Sequence, residues 1–195
     1  MDNFLKIKQH VAKYIHLTED EEKYFVSLLR IVNVRKKQFI VQPEFTCKHR
    51  TYVVKGAMRA YLIDDKGHDH TIQFAIEDWW ISDFSSYINQ EPATLLVEAL
   101  EGTEIIQIEY SSESLLLERI PKFEKYLRII TQRSFAFLQK RMLSNLSKSA
   151  EQRYEEFLER YPSIVNRVPQ YALASYLGFS TEFLSKIRNK RIRKN

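Results

Sequence analysis

Cysteine, glycine and proline are scarce in this chain, and each scarcity removes a class of protein. One cysteine, Cys47, rules out an internal disulfide framework and fits a reducing compartment. Four glycines and five prolines in 195 residues leave no room for collagen-like, linker-like or low-complexity segments. No apolar run reaches the roughly 20 residues that span a bilayer. The start, Met1-Asp-Asn-Phe-Leu-Lys6, lacks the basic and apolar regions of a secretory signal. These absences predict a cytoplasmic chain with no membrane partner. A composition of 44% hydrophobic and 28% charged residues is that of a packed domain, and the length suits one generous domain or two small ones.

The charge is unevenly placed. The formal net charge is +5, and residues 148–195 hold ten Lys/Arg against five acids. The other 147 residues hold 20 of each, so the whole excess lies in the last quarter. Past Glu182 there is no acid and six Lys/Arg. Such a cluster attracts polyphosphate, although a solvated basic tail reads the same way.

Residues 4–31 carry apolar residues at helical spacing, and Thr18 with Glu21 forms a capping-box pattern, so two short helices are expected. From about 38 to 110 the pattern becomes β. The predicted strands are Gln38-Val41, Thr51-Lys55, Ala57-Ile63, His70-Ile76, Trp79-Ile81, Thr94-Ala99 and Thr103-Glu109. With no long helix between them, an antiparallel sandwich or roll is expected. A short helix over 112–120 precedes a long one from Pro121 to Ser147, whose apolar residues cover more than one stripe. A helix apolar on two faces buries both, one here on the β domain and one on a second copy of itself. Burial between two domains of one monomer is the alternative. Ser149 and Gln152 form a second capping box, opening a helix that ends at Tyr161-Pro162.

The segment Gln170-Tyr-Ala-Leu-Ala-Ser-Tyr-Leu-Gly-Phe-Ser-Thr-Glu-Phe-Leu-Ser-Lys-Ile-Arg188 has helix-turn-helix spacing. Ala174 is small where two helices cross, Gly178 suits a left-handed turn, and Ser180 is a natural N-cap. Leu173, Leu177, Phe179, Leu184 and Ile187 supply the seam. If the second helix reads DNA, Leu184 and Ile187 point inward. The outward candidates are then Thr181, Glu182, Ser185, Lys186, Arg188 and Asn189. Thr181, Glu182, Ser185 and Lys186 in the first turns would reach base edges, with Glu accepting from cytosine and Lys donating to guanine. Arg188, Lys190, Arg191 and Arg193 would neutralise phosphates. Ser180 completes the expected DNA-binding set.

With those motifs in hand, residues 10–190 resemble the Crp/Fnr superfamily of transcription regulators. The order is the same: short helices, β-roll, long helix, helix-turn-helix. Short-tailed members from Bacteroidetes are resembled in particular, through Ser147-Lys-Ser-Ala-Glu-Gln-Arg-Tyr154, Arg167-Val-Pro169 and Ala174-Ser-Tyr-Leu-Gly178. The resemblance implies an α+β fold. An antiparallel β-roll sensor with its N-terminal helices would occupy 1–120, a dimerisation helix 121–147 and a DNA-binding domain 148–195. It also implies a homodimer on a two-fold operator of double-stranded DNA, with RNA polymerase as a further partner, and no enzymatic activity.

The effector site departs from the pattern. Where cyclic-nucleotide-binding members carry Gly-Glu and then Arg-Ser/Thr-Ala, this chain has Ser82-Asp83 and Ala93-Thr94. Ser82, Asp83 and Thr94 are the candidate effector contacts, but the phosphate-pairing Arg is replaced by Ala93. An unpaired buried phosphate is costly, so the expected effector is not cyclic AMP, or there is none. Cys47 alone cannot hold an iron–sulfur cluster, and no cofactor is expected. Cys47 beside Lys48, His49 and Arg50 is a mildly activated thiol, or simply a loop cysteine. His68-Asp69-His70 has the His-x-His of cupin metal sites. The partner Glu and a later His are absent, so a polar hairpin turn is the better reading and no metal is expected. Trp79-Trp80 is expected to divide between the roll core and a domain or subunit contact. Two other classes stay open: a cupin-like metal-dependent enzyme with a helical oligomerisation tail, and an effector-binding module making only protein contacts.

Overall fold

The structure is a computed structural model describing residues 3–192. In chain order the elements are α1 (Leu5–Ala12), α2 (Glu19–Ser27), β1 (Leu29–Val34), β2 (Phe39–Val41), β3 (His49–Lys55), β4 (Met58–Ile63), β5 (Asp69–Ala75), β6 (Trp80–Ile81), α3 (Phe84–Asn89), β7 (Leu96–Ala99), β8 (Thr103–Glu109), α4 (Tyr110–Arg119), α5 (Lys122–Ser147), α6 (Ala150–Arg160), α7 (Pro162–Val165), α8 (Gln170–Leu177) and α9 (Thr181–Ile192). Both expected capping boxes are present. Thr18 accepts from the Glu21 N–H and Ser149 from the Gln152 N–H, with the reciprocal bonds made.

The strands form two antiparallel sheets, ordered β1-β8-β3-β6 and β2-β7-β4-β5, facing one another as a roll. Between them lie Val34, Val53, Met58, Ala60, Val97 and Ile105. Strand β1 corrects the sequence reading, which ran a helical segment through Leu29 to residue 31. Val32 and Val34 face the roll interior, while Leu29 and Ile31 meet the helical layer. A strand with apolar residues on both faces loses its period-two signature, although Arg30 and Asn33 in β1 stay exposed. α3 and α7 also go beyond the expected elements; each is six residues or fewer.

The outer face of the first sheet carries α1, α2, α4 and the first turns of α5, with Tyr52, Ile106, Ile108, Phe123 and Tyr126 at the contact. Arg50 on β3 is buried there and makes two bonds to Glu113 on α4, at 2.6 and 2.8 Å. His68-Asp69-His70 lies at the β4–β5 hairpin, where Asp64 takes His70 Nε2 at 2.9 Å. That matches the hairpin reading.

The C-terminal helices do not stand apart from the roll. Phe74 on β5 packs against Tyr176 and Phe157, with ring centroids 5.1 and 6.3 Å apart, and Ala57 and Leu100 join the same core. Ser175 Oγ donates to the Asp69 carbonyl and accepts from the Thr71 N–H, both at 2.7 Å. Arg141 on α5 donates to the carbonyls of Thr71, Ile72 and Tyr176. Arg167 donates to Glu77 and Glu101, both in turns of the roll. Tyr171 on α8 lies under the guanidinium of Arg59, which is itself paired with Glu98 and Asp69.

Candidate nucleic-acid interface and effector clefts

α8 and α9 form the helix-turn-helix at the residues the spacing indicated. Gly178 ends α8 at φ 75°, in the left-handed region that an L side chain enters at a cost. The Phe179 N–H reaches back to the Ala174 carbonyl at 2.9 Å, tightening the turn. Ser180 Oγ then accepts from the Phe183 N–H at 3.2 Å, as an N-cap does. Ala174, Leu173, Leu177, Leu184 and Ile187 are all buried in the seam.

On the outer side of α9, Glu182, Lys186, Arg188, Asn189, Lys190 and Arg191 are exposed. Thr181 and Ser185 are half-buried, and Ser185 is already engaged. Its hydroxyl donates to the Thr181 carbonyl at 3.1 Å and accepts from Gln170 Nε2 at 2.6 Å. Lys190 reaches Glu151 at 3.4 Å in an exposed pair, which a stronger anion can displace. Arg193 lies outside the described residues. Sequence reasoning passed over Phe183. It is 43% exposed beside Glu182, its ring braced edge-on by Phe179 at 5.6 Å. An apolar residue off the Leu184–Ile187 seam was the available signal.

The cassette residues come together, but with one another. Asp83, 2% exposed, caps α3 by accepting from the Ser86 N–H at 3.1 Å. Its other oxygen accepts from the N–H groups of Thr94 and Leu95, at 2.8 and 2.9 Å, and from the Thr94 hydroxyl at 3.4 Å. The chain's own carboxylate thus sits among the donors that could hold an anion. Ser82 Oγ bonds the His49 carbonyl at 3.1 Å and accepts from the Thr51 N–H at 3.3 Å. Cys47 is buried, and that burial pushes its thiol up, away from thiolate.

An opening of about 400 Å³ runs between the roll and α5. Trp79, Trp80 and Ile81 line one side; Ile130, Ser134 and Phe137 line the other. Trp80 Nε1 donates to Tyr126 at 2.9 Å, and Trp79 meets Tyr161 and Phe137 edge-on. The two tryptophans therefore serve the helical contact, and both also border this cleft. Among the described residues no helix is long and apolar enough to cross a membrane, and no cluster of three potential metal ligands occurs.

No family model matches the chain, and no curated protein is recognisably similar in sequence. Solved structures are similar over most of its length. FixK2 from Bradyrhizobium japonicum is 18% identical, with a TM-score of 0.74 and 85% of each chain covered. The c-di-GMP-responsive global regulator CLP of Xanthomonas campestris is 14% identical, with a TM-score of 0.73, covering 91% of this chain and 93% of that one. A Eubacterium rectale protein described as a transcriptional regulator of the Crp/Fnr family is 18% identical, with a TM-score of 0.71, covering 91% and 85%. The roll, the long helix and the helix-turn-helix together have the fold of the Crp/Fnr transcription regulators, including their cyclic-nucleotide-binding-type sensor domain.

Proposed function

We propose that the chain is a non-enzymatic Crp/Fnr-type transcription regulator that binds a two-fold site on double-stranded DNA as a homodimer. One observation carries the reading: α9 is held by Leu184 and Ile187 from behind while Lys186, Arg188, Asn189 and Arg191 stand exposed on it. Lys186 and Glu182 would read base edges, Phe183 would meet a thymine methyl, and Arg188, Lys190 and Arg191 would neutralise phosphates. Thr181 and Ser185 would contribute from the half-buried margin, and Ser180 through its cap.

The dimer reading is supported by α5. Phe135, Leu138, Met142 and Leu146 recur at three- and four-residue spacing and are 67, 47, 59 and 80% exposed. They form a stripe about 16 Å long, which a second α5 would cover. The sensor reading is an effector other than cyclic AMP, or none. Asp83 already occupies the anion cradle, and Ala93 supplies no cation for a phosphate. RNA polymerase would be a further partner of such a regulator.

Selection of bound duplexes from a random-sequence pool tests the reading. A two-fold consensus is expected, with affinity falling steeply as salt rises. Lys186→Ala is expected to relax preference at one position in each half-site. Arg188→Ala is expected to weaken all sequences about equally. No enrichment at low salt would overturn the proposal.

A further inference from the structure

We propose that the mouth of the roll between β1 and β2 binds a small organic anion. Arg30 and His49 would take its charged head, and Phe39, Val41 and Phe45 its apolar body.

The opening there has a volume of about 320 Å³, the size of a pocket for a single ring or short chain. Arg30 on β1, His49 on β3 and Gln107 on β8 line it together with Phe39, Val41 and Phe45. No residue of α5 to α9 lines it, so it is distinct from the cleft beneath the long helix. Both sites lie in the same roll, on different edges.

Arg30 differs from the arginines that acids hold in place. Arg50, Arg59 and Arg167 are each paired with at least one carboxylate. Arg30 has no carboxylate within salt-bridge distance among the described residues. It donates to the neutral Gln107 Oε1, at 2.8 Å from Nη2 and 3.1 Å from Nε, and to His49 Nδ1 at 3.4 Å. Gln107 is buried and its Nε2 donates to Thr51 at 3.0 Å, which fixes the amide with its oxygen toward Arg30. The guanidinium is thus aimed by a neutral bracket, with no bond from Nη1 among the described residues.

His49 adds a second donor. A guanidinium only donates, so Nδ1 accepts and the ring proton sits on Nε2. Burial, and then the charge of Arg30, lower the pKa of His49; Glu109 opposes them and Lys48 acts with them. Lys48 also borders the opening, and no acidic residue lines it. Phe45, 69% exposed at the rim, is an apolar surface that the body of a ligand would cover. A positioned cation, a neutral donor and an aromatic wall select an anion with an apolar body. A carboxylate and a phosphate monoester share that chemistry. The proposal stands independently of DNA binding.

Calorimetric titration of the full chain with benzoate, phenyl phosphate and neutral benzamide tests it. At least one anion should bind saturably, and benzamide about tenfold more weakly or not at all. Tighter benzoate assigns a carboxylate head, and tighter phenyl phosphate a phosphate head. Arg30→Gln should weaken the anion about tenfold while Arg35→Gln changes nothing. Gln107→Glu hands Arg30 a carboxylate of its own and should abolish binding, and a thermal melt of the variant separates that loss from unfolding, since the amide donor to Thr51 goes with it. Absence of saturable binding by both anions to about 10 mM, equal binding of benzamide, or undiminished binding by Arg30→Gln and Gln107→Glu would each overturn the proposal.

Discussion

Replacing Arg167 by Met tests the contact that ties the helix-turn-helix to the roll. The guanidinium spans Glu77, at 2.8 and 3.0 Å, and Glu101, at 2.5 and 3.1 Å. Arg167 is the largest cause of a Glu77 carboxyl held down at about 2 against an ordinary 4.5; a smaller part comes from the Gly56 N–H and would survive the substitution. A depression of that size, unscreened, corresponds to about 3 kcal/mol. The side chains of Arg167, Glu77 and Glu101 stay 27, 31 and 37% exposed, so water screens much of it. The expected loss is about 1–2 kcal/mol, since Met keeps the apolar stem. The sign follows from the direction. A lowered folded-state pKa contributes stability fully above pH 4.5, and that contribution fades as the pH falls toward 2. Urea unfolding of wild type and Arg167→Met should therefore differ by that amount at pH 7. The gap should narrow below pH 4.5 and shrink in high salt. Equal midpoints at pH 7, or a gap unchanged at pH 2, would refute the reasoning.

Three further outcomes are expected. A Cβ on Gly56 would stand 2.5 Å from Thr103 Oγ1 and 2.7 Å from its Cα at φ 108°, whereas one on Gly178 meets nothing closer than 3.8 Å. Gly56→Ala should then abolish folding, while Gly178→Ala should cost only about 1 kcal/mol of backbone strain; thermal melts compare them. Leu138→Glu with Met142→Glu should shift the protein to monomer in sedimentation at micromolar concentration while leaving its circular dichroism intact, and a dimer that persists would remove α5 as the interface. Asp83→Asn keeps the shape but sets an amide NH2 against the N–H of Ser86 or those of Thr94 and Leu95, and should cost about 1–3 kcal/mol in chemical unfolding.

Much of the order of elements was legible because its signals are local. Capping boxes at Thr18 and Ser149 mark helix starts through side chains three residues away. Gly178 and Ser180 mark the helix-turn-helix turn in the same way. β1 was not legible, since apolar residues stand on both of its faces (Leu29 and Ile31 on one, Val32 and Val34 on the other) and Arg30 and Asn33 break any period-two alternation. Phe183 was left out of the outward set although it lies off the Leu184–Ile187 seam, because only its exposure in the fold separates it from a core aromatic.

By itself the sequence determined most of the helices and strands, though not β1, α3 or α7, and where the positive charge lies, because propensity, capping and composition act over a few residues. Only the tertiary structure decided which polar groups are already satisfied. Ser82, Asp83 and Thr94 are adjacent to an anion cradle in either view, but only folding shows Asp83 filling it. Arg30, Arg50, Arg59 and Arg167 look alike along the chain. Pairing across 63 residues gives Arg50 its carboxylate, and pairing across 77 gives Arg30 only an amide. The same residue type becomes a strut or an open donor according to what long-range contact brings beside it.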